Sequence, residues 1–169
     1  MAKKRARLPV IDYPEFVLVP VYNKDGVSAY ARVSPGKRHL VEGRNFYQNH
    51  HGYVVTHGKK GEPANVQLAR LVMGAPVGME VDHIGHDRLD NRDENLRLCT
   101  HAQNMMNHPG RLGRGRGVRK MKGWSWQARI MVSRVAHHLG SFATQEEAIT
   151  ARRLAEIRLR GRFAPGVKT

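Results

Sequence analysis

The sequence predicts an α+β protein assembled from small segments, and three observations carry that reading. Short runs that alternate apolar and polar residues recur along the chain, each bounded by Gly, Pro, Asn or Asp, as half-buried strands are. Two capping-box patterns, Thr100 with Gln103 and Thr144 with Glu147, mark helix starts. The 169 residues are enough for one domain or two small ones, each with a modest core.

Lys and Arg number 29 against 14 Asp and Glu, a formal charge of +15. A positive field of that size concentrates polyanions, so nucleic acid is the default partner, while charge alone leaves a basic protein kept soluble by charge or a membrane-surface binder about as good a reading. The one cysteine, Cys99, sits in an alternating run, so neither a disulfide nor a cysteine cage for zinc is available. A reducing, cytoplasmic setting fits that composition. The basic start (Lys3, Lys4, Arg5, Arg7) is followed by no long apolar stretch, which argues against a signal peptide or an anchor.

In chain order, residues 1–63 read as a β-rich basic segment. Runs at 16–19 and 27–33 flank Asn23, Lys24, Asp25 and Gly26, a hairpin-turn sequence, and 52–57 reads as a further strand. His50, His51 and His57 read as solvent-facing polar positions. Residues 64–73 form a short helix or a strand running into one, ended by Gly74 and Pro76, with Arg70 a solvated charge. Residues 80–84 and 96–99 read as two strands around a polar loop, and Thr100 opens a helix whose one face carries His101, Asn104, Asn107 and His108. These residues, 64–108, form a second segment. Residues 109–116, rich in Gly and Arg, read as a linker. Residues 117–169 read as three strands and then a helix from Thr144 to Gly161, packed through Ala148, Ala151, Ala155 and Leu159.

Residues 82–104 gather the chemistry. Hydrolysis of a phosphodiester needs an activated water, a cation on the phosphate and groups that hold both in line. Asp82 and the amide oxygen of Asn104 are hard donors suited to Mg²⁺ or Mn²⁺, and neutral His83 can take a proton from water. Asp82 and His83 are adjacent, so they share a site only if the strand bends or ends there. Asn95 can tie the loop back behind His83, and His101 or His108 are alternative ligands on the helix face of Asn104.

Val81-Asp82-His83, the stretch from Asp90 to Arg97, and Gln103-Asn104 resemble the HNH endonucleases of the phage and homing type, over about residues 68–107. The resemblance implies a ββα-metal core in which Asp82 and Asn104 hold the metal, His83 is the general base and Asn95 the structural asparagine. Residues 115–164 resemble the DNA-binding domain of plant ethylene-response factors. That resemblance implies a three-stranded sheet in the major groove, with Arg116, Gly117 and Arg119 matching its first strand. Arg129 stands where the plant proteins have Glu and His138 where they have Trp, so no base preference is implied. Trp126 or Trp124, with Arg119 and Arg129, are the side chains that can meet a groove or backbone.

The expectation is therefore a divalent-metal-dependent endonuclease acting on double-stranded DNA, by nicking or double-strand cleavage, as a monomer or a dimer. The alternative is a DNA-binding regulator or packaging factor that keeps the motif as a scaffold.

Overall fold

A computed structural model describes residues 8–107, 117–132, 134–164 and 167. Arg116, His108 and the linker 109–116 lie outside the described residues. The chain divides into two compact units, Met1–Thr100 and His101–Thr169.

The first unit is built on a seven-stranded sheet. Its central hairpin joins β2 (Val17–Asn23) to β3 (Gly26–Val33). The turn forms because the Asn23 side-chain oxygen accepts from the backbone N–H of Asp25 and of Gly26, at 2.8 and 3.0 Å. β1 (Ile11–Asp12) pairs with β2 antiparallel, and β4 (Phe46–Gln48) lies parallel to β2 farther along it. β5 (Val54–His57) and β6 (Asn65–Gln67) extend that edge. Between β3 and β4 runs a helical turn, α1 (Arg38–Val41).

On the far edge, β8 (Asp90–Asn91) pairs parallel with β3, Arg32 opposite Asp90 and Val33 opposite Asn91. β7 (Glu80–His83) and β9 (Leu96–Cys99) form a separate two-stranded ribbon. A short helix, α2 (Leu68–Met73), packs its buried residues Leu68, Ala69 and Val72 into the same core as Val17, Val19, Val21, Val33, Phe46 and Leu96. The boundary expected at residues 63 and 64 is thus not a break in packing, because one core spans it and a strand from the polar loop completes the sheet.

Gly74 ends α2 in the left-handed conformation, φ 54° and ψ 39°, which costs glycine no side-chain clash. Arg70, read from sequence as a solvated charge, is instead a strut. Its guanidinium donates to the carbonyls of Met79 (2.6 Å), Ala75 and Pro76 (both 3.1 Å), and so fixes the turn that delivers the chain into β7.

The second unit contains α3 (His101–Asn107), a three-stranded antiparallel sheet of β10 (Val118–Lys120), β11 (Trp126–Val132) and β12 (Val135–Phe142), and α4 (Gln145–Arg160). α4 covers the sheet face that carries Ala128 and Ile130. It begins with a complete capping box: Thr144 Oγ1 accepts from Glu147 N (3.2 Å) while the Glu147 carboxylate accepts from Thr144 N (3.2 Å). Its fully buried positions are Ala148, Glu156 and Arg160, with Glu156 paired at 3.0 Å to both Arg152 and Arg160. The seam expected at Ala148, Ala151, Ala155 and Leu159 is therefore rotated toward a charged row; Leu159 stays exposed. Arg160 also donates to the carbonyl of Met106, tying α4 to α3 within this unit.

Leu68 is fully buried at the junction of sheet and ribbon core. Leu68→Ala should lower the unfolding free energy of the protein by about 2–5 kcal/mol, read from urea midpoints at constant m-value.

Candidate active site

The strand β7 ends at His83, and the next residues turn away. This is how adjacent side chains reach different partners. Asp82 stands opposite Arg97 in the β7–β9 register, and Arg97 Nε and Nη2 both donate to its Oδ2, at 2.8 and 2.6 Å. Both side chains are 6% exposed, so this is a buried, charge-assisted pair. A cation held by Asp82 shares that carboxylate with Arg97.

His83 turns instead toward β8. Its Nε2 lies 3.2 Å from Asn91 Oδ1. The Asn91 amide is oriented independently, because its Nδ2 donates to the carbonyl of Arg88 at 3.2 Å. An amide fixed that way presents an acceptor to the imidazole, which favours the tautomer with its proton on Nε2. Burial pushes the His83 imidazole below its ordinary value; the Asn91 bond and the charges of Asp82 and Asp87 work the other way, and Arg88 adds to the lowering. The net result favours the neutral ring at pH 7.

Asn95 brackets the loop. Its Oδ1 accepts from Gly85 N (2.8 Å), and its Nδ2 donates to the carbonyls of Asp90 (2.7 Å) and Asp87 (3.4 Å). The main chain adds Ile84 N to Asn95 O at 2.9 Å. The loop is also bolted to β3: Arg32 pairs with Asp87 at 2.8 Å, and Asp93 N donates to Ser34 Oγ at 2.9 Å. Arg92 holds Asp90 through two 2.8 Å bonds. Asp87 thus serves the loop's own architecture, capping Leu89 N at 3.0 Å. Cys99 is buried beside this ribbon, and burial, with the charges of Asp82 and Glu80, pushes its thiol up to about 11, which leaves it inert as a nucleophile.

Three residues near His83 were not singled out from sequence: Asn91, Arg97 and Tyr53. The Tyr53 ring, from the turn between β4 and β5, lies 6.1 Å from the His83 ring, centroid to centroid. A cross-strand register or a hairpin that returns from thirty residues away leaves no local spacing to find it by. The asparagine of the Asp-Asn-Arg triplet was visible but indistinguishable from a turn residue.

Asn104 and His101 sit on α3, in the second unit; His101 is exposed. Among the described residues no group of three or more His, Cys, Asp or Glu is gathered as a metal cage. The Asp82 carboxylate is a hard oxygen donor of the kind Mg²⁺ takes with waters and phosphate oxygens around it.

In the second unit, Gly117 has φ +77°, and a Cβ there would collide with the Arg129 carbonyl, so this glycine allows the close approach of β10 to β11. Arg119, Gln127, Arg129 and His138 share the sheet face away from α4. They are linked there: Arg119 Nε donates to Gln127 Oε1 at 3.1 Å, and Gln127 Nε2 lies 2.9 Å from His138 Nε2. Trp126 is half-buried on the opposite face, with Ala128 and Ile130, whereas Trp124 is 90% exposed with Lys120 Nζ 5.4 Å from its ring. Trp124 is the tryptophan presented to solvent. No helix among the described residues is long and apolar enough to cross a membrane.

The profile of the HNH endonuclease family matches residues 66–106. The chain is also 30% identical over 145 residues to an uncharacterized HNH endonuclease of Acanthamoeba polyphaga mimivirus, an alignment that takes in 82% of this chain and 75% of the viral one. No solved structure matches. The comparisons lend no support to the ethylene-response-factor resemblance of residues 115–164.

Arg97→Met should cost about 3–5 kcal/mol in unfolding free energy, because Asp82 keeps a buried charge that no guanidinium then compensates. Combined with Asp82→Asn, the loss should be smaller than the sum of the two single losses in a double-mutant cycle of denaturation midpoints.

Proposed function

Since the chain belongs to the HNH endonuclease family, we propose that it is a divalent-metal-dependent nuclease that hydrolyses one strand of duplex DNA at the site around His83. The observation that carries this reading is the buried His83 imidazole, held with Nε2 3.2 Å from the independently oriented Asn91 amide oxygen and pushed by burial toward the neutral form a general base needs. Nδ1 takes the proton of the attacking water. Asn91 keeps the ring in register while the ring is charged, and Asn95 holds the loop rigid around both. By the family resemblance Asp82 and Asn104 would hold the cation, which would supply charge neutralisation on the phosphate and a more acidic water.

The exposed face of the second unit's sheet, with Arg119 and Arg129, together with Trp124 beside the sheet, is the surface for duplex DNA. It combines cationic side chains with an aromatic ring to lie on sugars or bases, and the formal charge of +15 supports a polyanionic partner. Two cuts in opposite strands require two such sites or two successive events. A phage or homing role is carried by the sequence resemblance alone.

One observation favours a second reading. The engagement of Asp82 by Arg97 suits a DNA-binding regulator in which the ribbon survives as a scaffold. Supercoiled plasmid separates the two. With Mg²⁺ or Mn²⁺ the wild type should yield open circles and with chelator none, and His83→Ala, Asp82→Ala and Asn104→Ala should each slow nicking by about 10²-fold or more. A wild type that relaxes no plasmid with any divalent ion leaves the regulator reading standing and removes the nuclease.

Replacing Arg119 and Arg129 together by Ala should weaken binding to unrelated duplexes alike. It should also flatten the slope of log K against log salt by about 0.9 for each phosphate that the protein ceases to neutralise, measured by fluorescence anisotropy in chelator. An unchanged slope excludes this face as the DNA surface.

A further inference from the structure

The family motif accounts for Asp82, His83, Asn95 and Asn104 but leaves an exposed cation of the loop after His83 without a role. Arg88 lies in the loop between β7 and β8, and its position is set from three directions. Its guanidinium carbon sits 4.5 Å from the centre of the Tyr53 ring. Its Nη1 donates to the carbonyl of His51 at 2.5 Å. Its own backbone carbonyl receives the Asn91 amide whose other end holds His83. Tyr53 in turn lies 6.1 Å from His83, ring centre to ring centre and tilted by 40°, so one phenol ring neighbours both the imidazole and the guanidinium.

An arginine on a protein surface ordinarily samples many rotamers, and its cost of ordering offsets what it gains from an anion. Here the ordering is done in advance. The β4–β5 turn supplies both the ring and the carbonyl, and Gly52 leaves ordinary van der Waals clearance of 3.6 Å from a would-be Cβ to Arg88 Nη1. The bond to His51 uses Nη1 alone, and Arg88 remains exposed. Two parallel N–H donors on a fixed plane match the non-bridging oxygens of a phosphate.

We propose that Arg88 is a phosphate-clamping catalytic residue of this site, contacting the non-bridging oxygens of the scissile phosphodiester, and that Tyr53 is the positioning residue that acts through it. This rests on the nuclease reading above. The attack of water adds negative charge to those oxygens, and a guanidinium already in place stabilises that charge more than the ground state. The turn of residues 49–52, which belongs to the β-rich part of the chain and lies outside the matched motif, thereby becomes part of the active site.

The test uses the full-length protein, with single-turnover plasmid nicking at saturating enzyme in Mg²⁺ and DNA affinity measured separately in Ca²⁺. Arg88→Ala should slow nicking by about 10²-fold with affinity altered less than about threefold. Millimolar guanidinium chloride should restore part of the rate to Arg88→Ala but none to His83→Ala, with NaCl of equal concentration as control; a purely structural arginine shows no such rescue. Tyr53→Leu should slow nicking by about tenfold, Tyr53→Phe should recover most of that loss, and Tyr53→Leu with Arg88→Ala should be no slower than Arg88→Ala alone. An Arg88→Ala that nicks at the wild-type rate, or that loses affinity while keeping its rate at saturation, overturns the inference and leaves the nuclease intact. A wild type that cleaves nothing overturns both.

Discussion

The structure around His83 depends on one side chain that carries no charge. Asn95 closes a ten-residue span by accepting from Gly85 and donating to Asp90 and Asp87, so the polar loop returns to the same place it left. Without that bracket the loop would have to order itself against its own conformational entropy, at roughly 1–2 kcal/mol per residue. With it, β8 is held where Asn91 can reach His83 and where β3 can receive a strand. A carboxamide suits this job because it offers donors and an acceptor at once and stays neutral throughout a reaction that moves protons.

Electrostatics then divides the labour between neighbouring residues. Asp82 and His83 are consecutive, yet the strand's pleat and its end send one to a guanidinium and the other to an amide. Arg97 compensates a carboxylate that would otherwise be costly to bury, and Asn91 holds the imidazole without adding charge. The same device appears in the second unit, where Glu156 sits between Arg152 and Arg160 under the sheet, and where Gln127 links Arg119 to His138 across three strands. In each case a polar group is made tolerable by a partner on a neighbouring strand or, for Glu156, one turn away on the same helix.

Local signals in the sequence were the readable ones. The turn at Asn23 to Gly26, the stop at Gly74 and the capping box at Thr144 each depend on residues within four positions, and each is present in the structure. The strand runs flanking the polar loop were legible for the same reason. Pairing at a distance was not. β8 is two residues long and has no periodicity of its own; it exists because β3 offers an edge. β4 becomes a strand beside β2 across more than twenty intervening residues. The buried row of α4 is hidden in the sequence because Arg and Glu pattern as a wet face, and only their mutual ion pairs let them turn inward. Around the imidazole, the types and spacing of Asp82, His83 and Asn95 were visible, but Arg97, Asn91 and Tyr53 are neighbours only after the register and the hairpin are in place.

The parallel pairing of β8 with β3 makes part of the polar loop a strand of the amino-terminal sheet, and it bears on how such a protein can be inherited or rebuilt. A segment cut at the limits of the recognisable motif would leave behind the strand on which its own loop is templated, the core that receives Leu68 and Leu96, and the aromatic ring beside its imidazole. The motif is therefore not a transplantable cassette in this chain. A graft that preserves the loop's fold has to carry the residues up to Thr100 together, along with the rest of the matched stretch to residue 106.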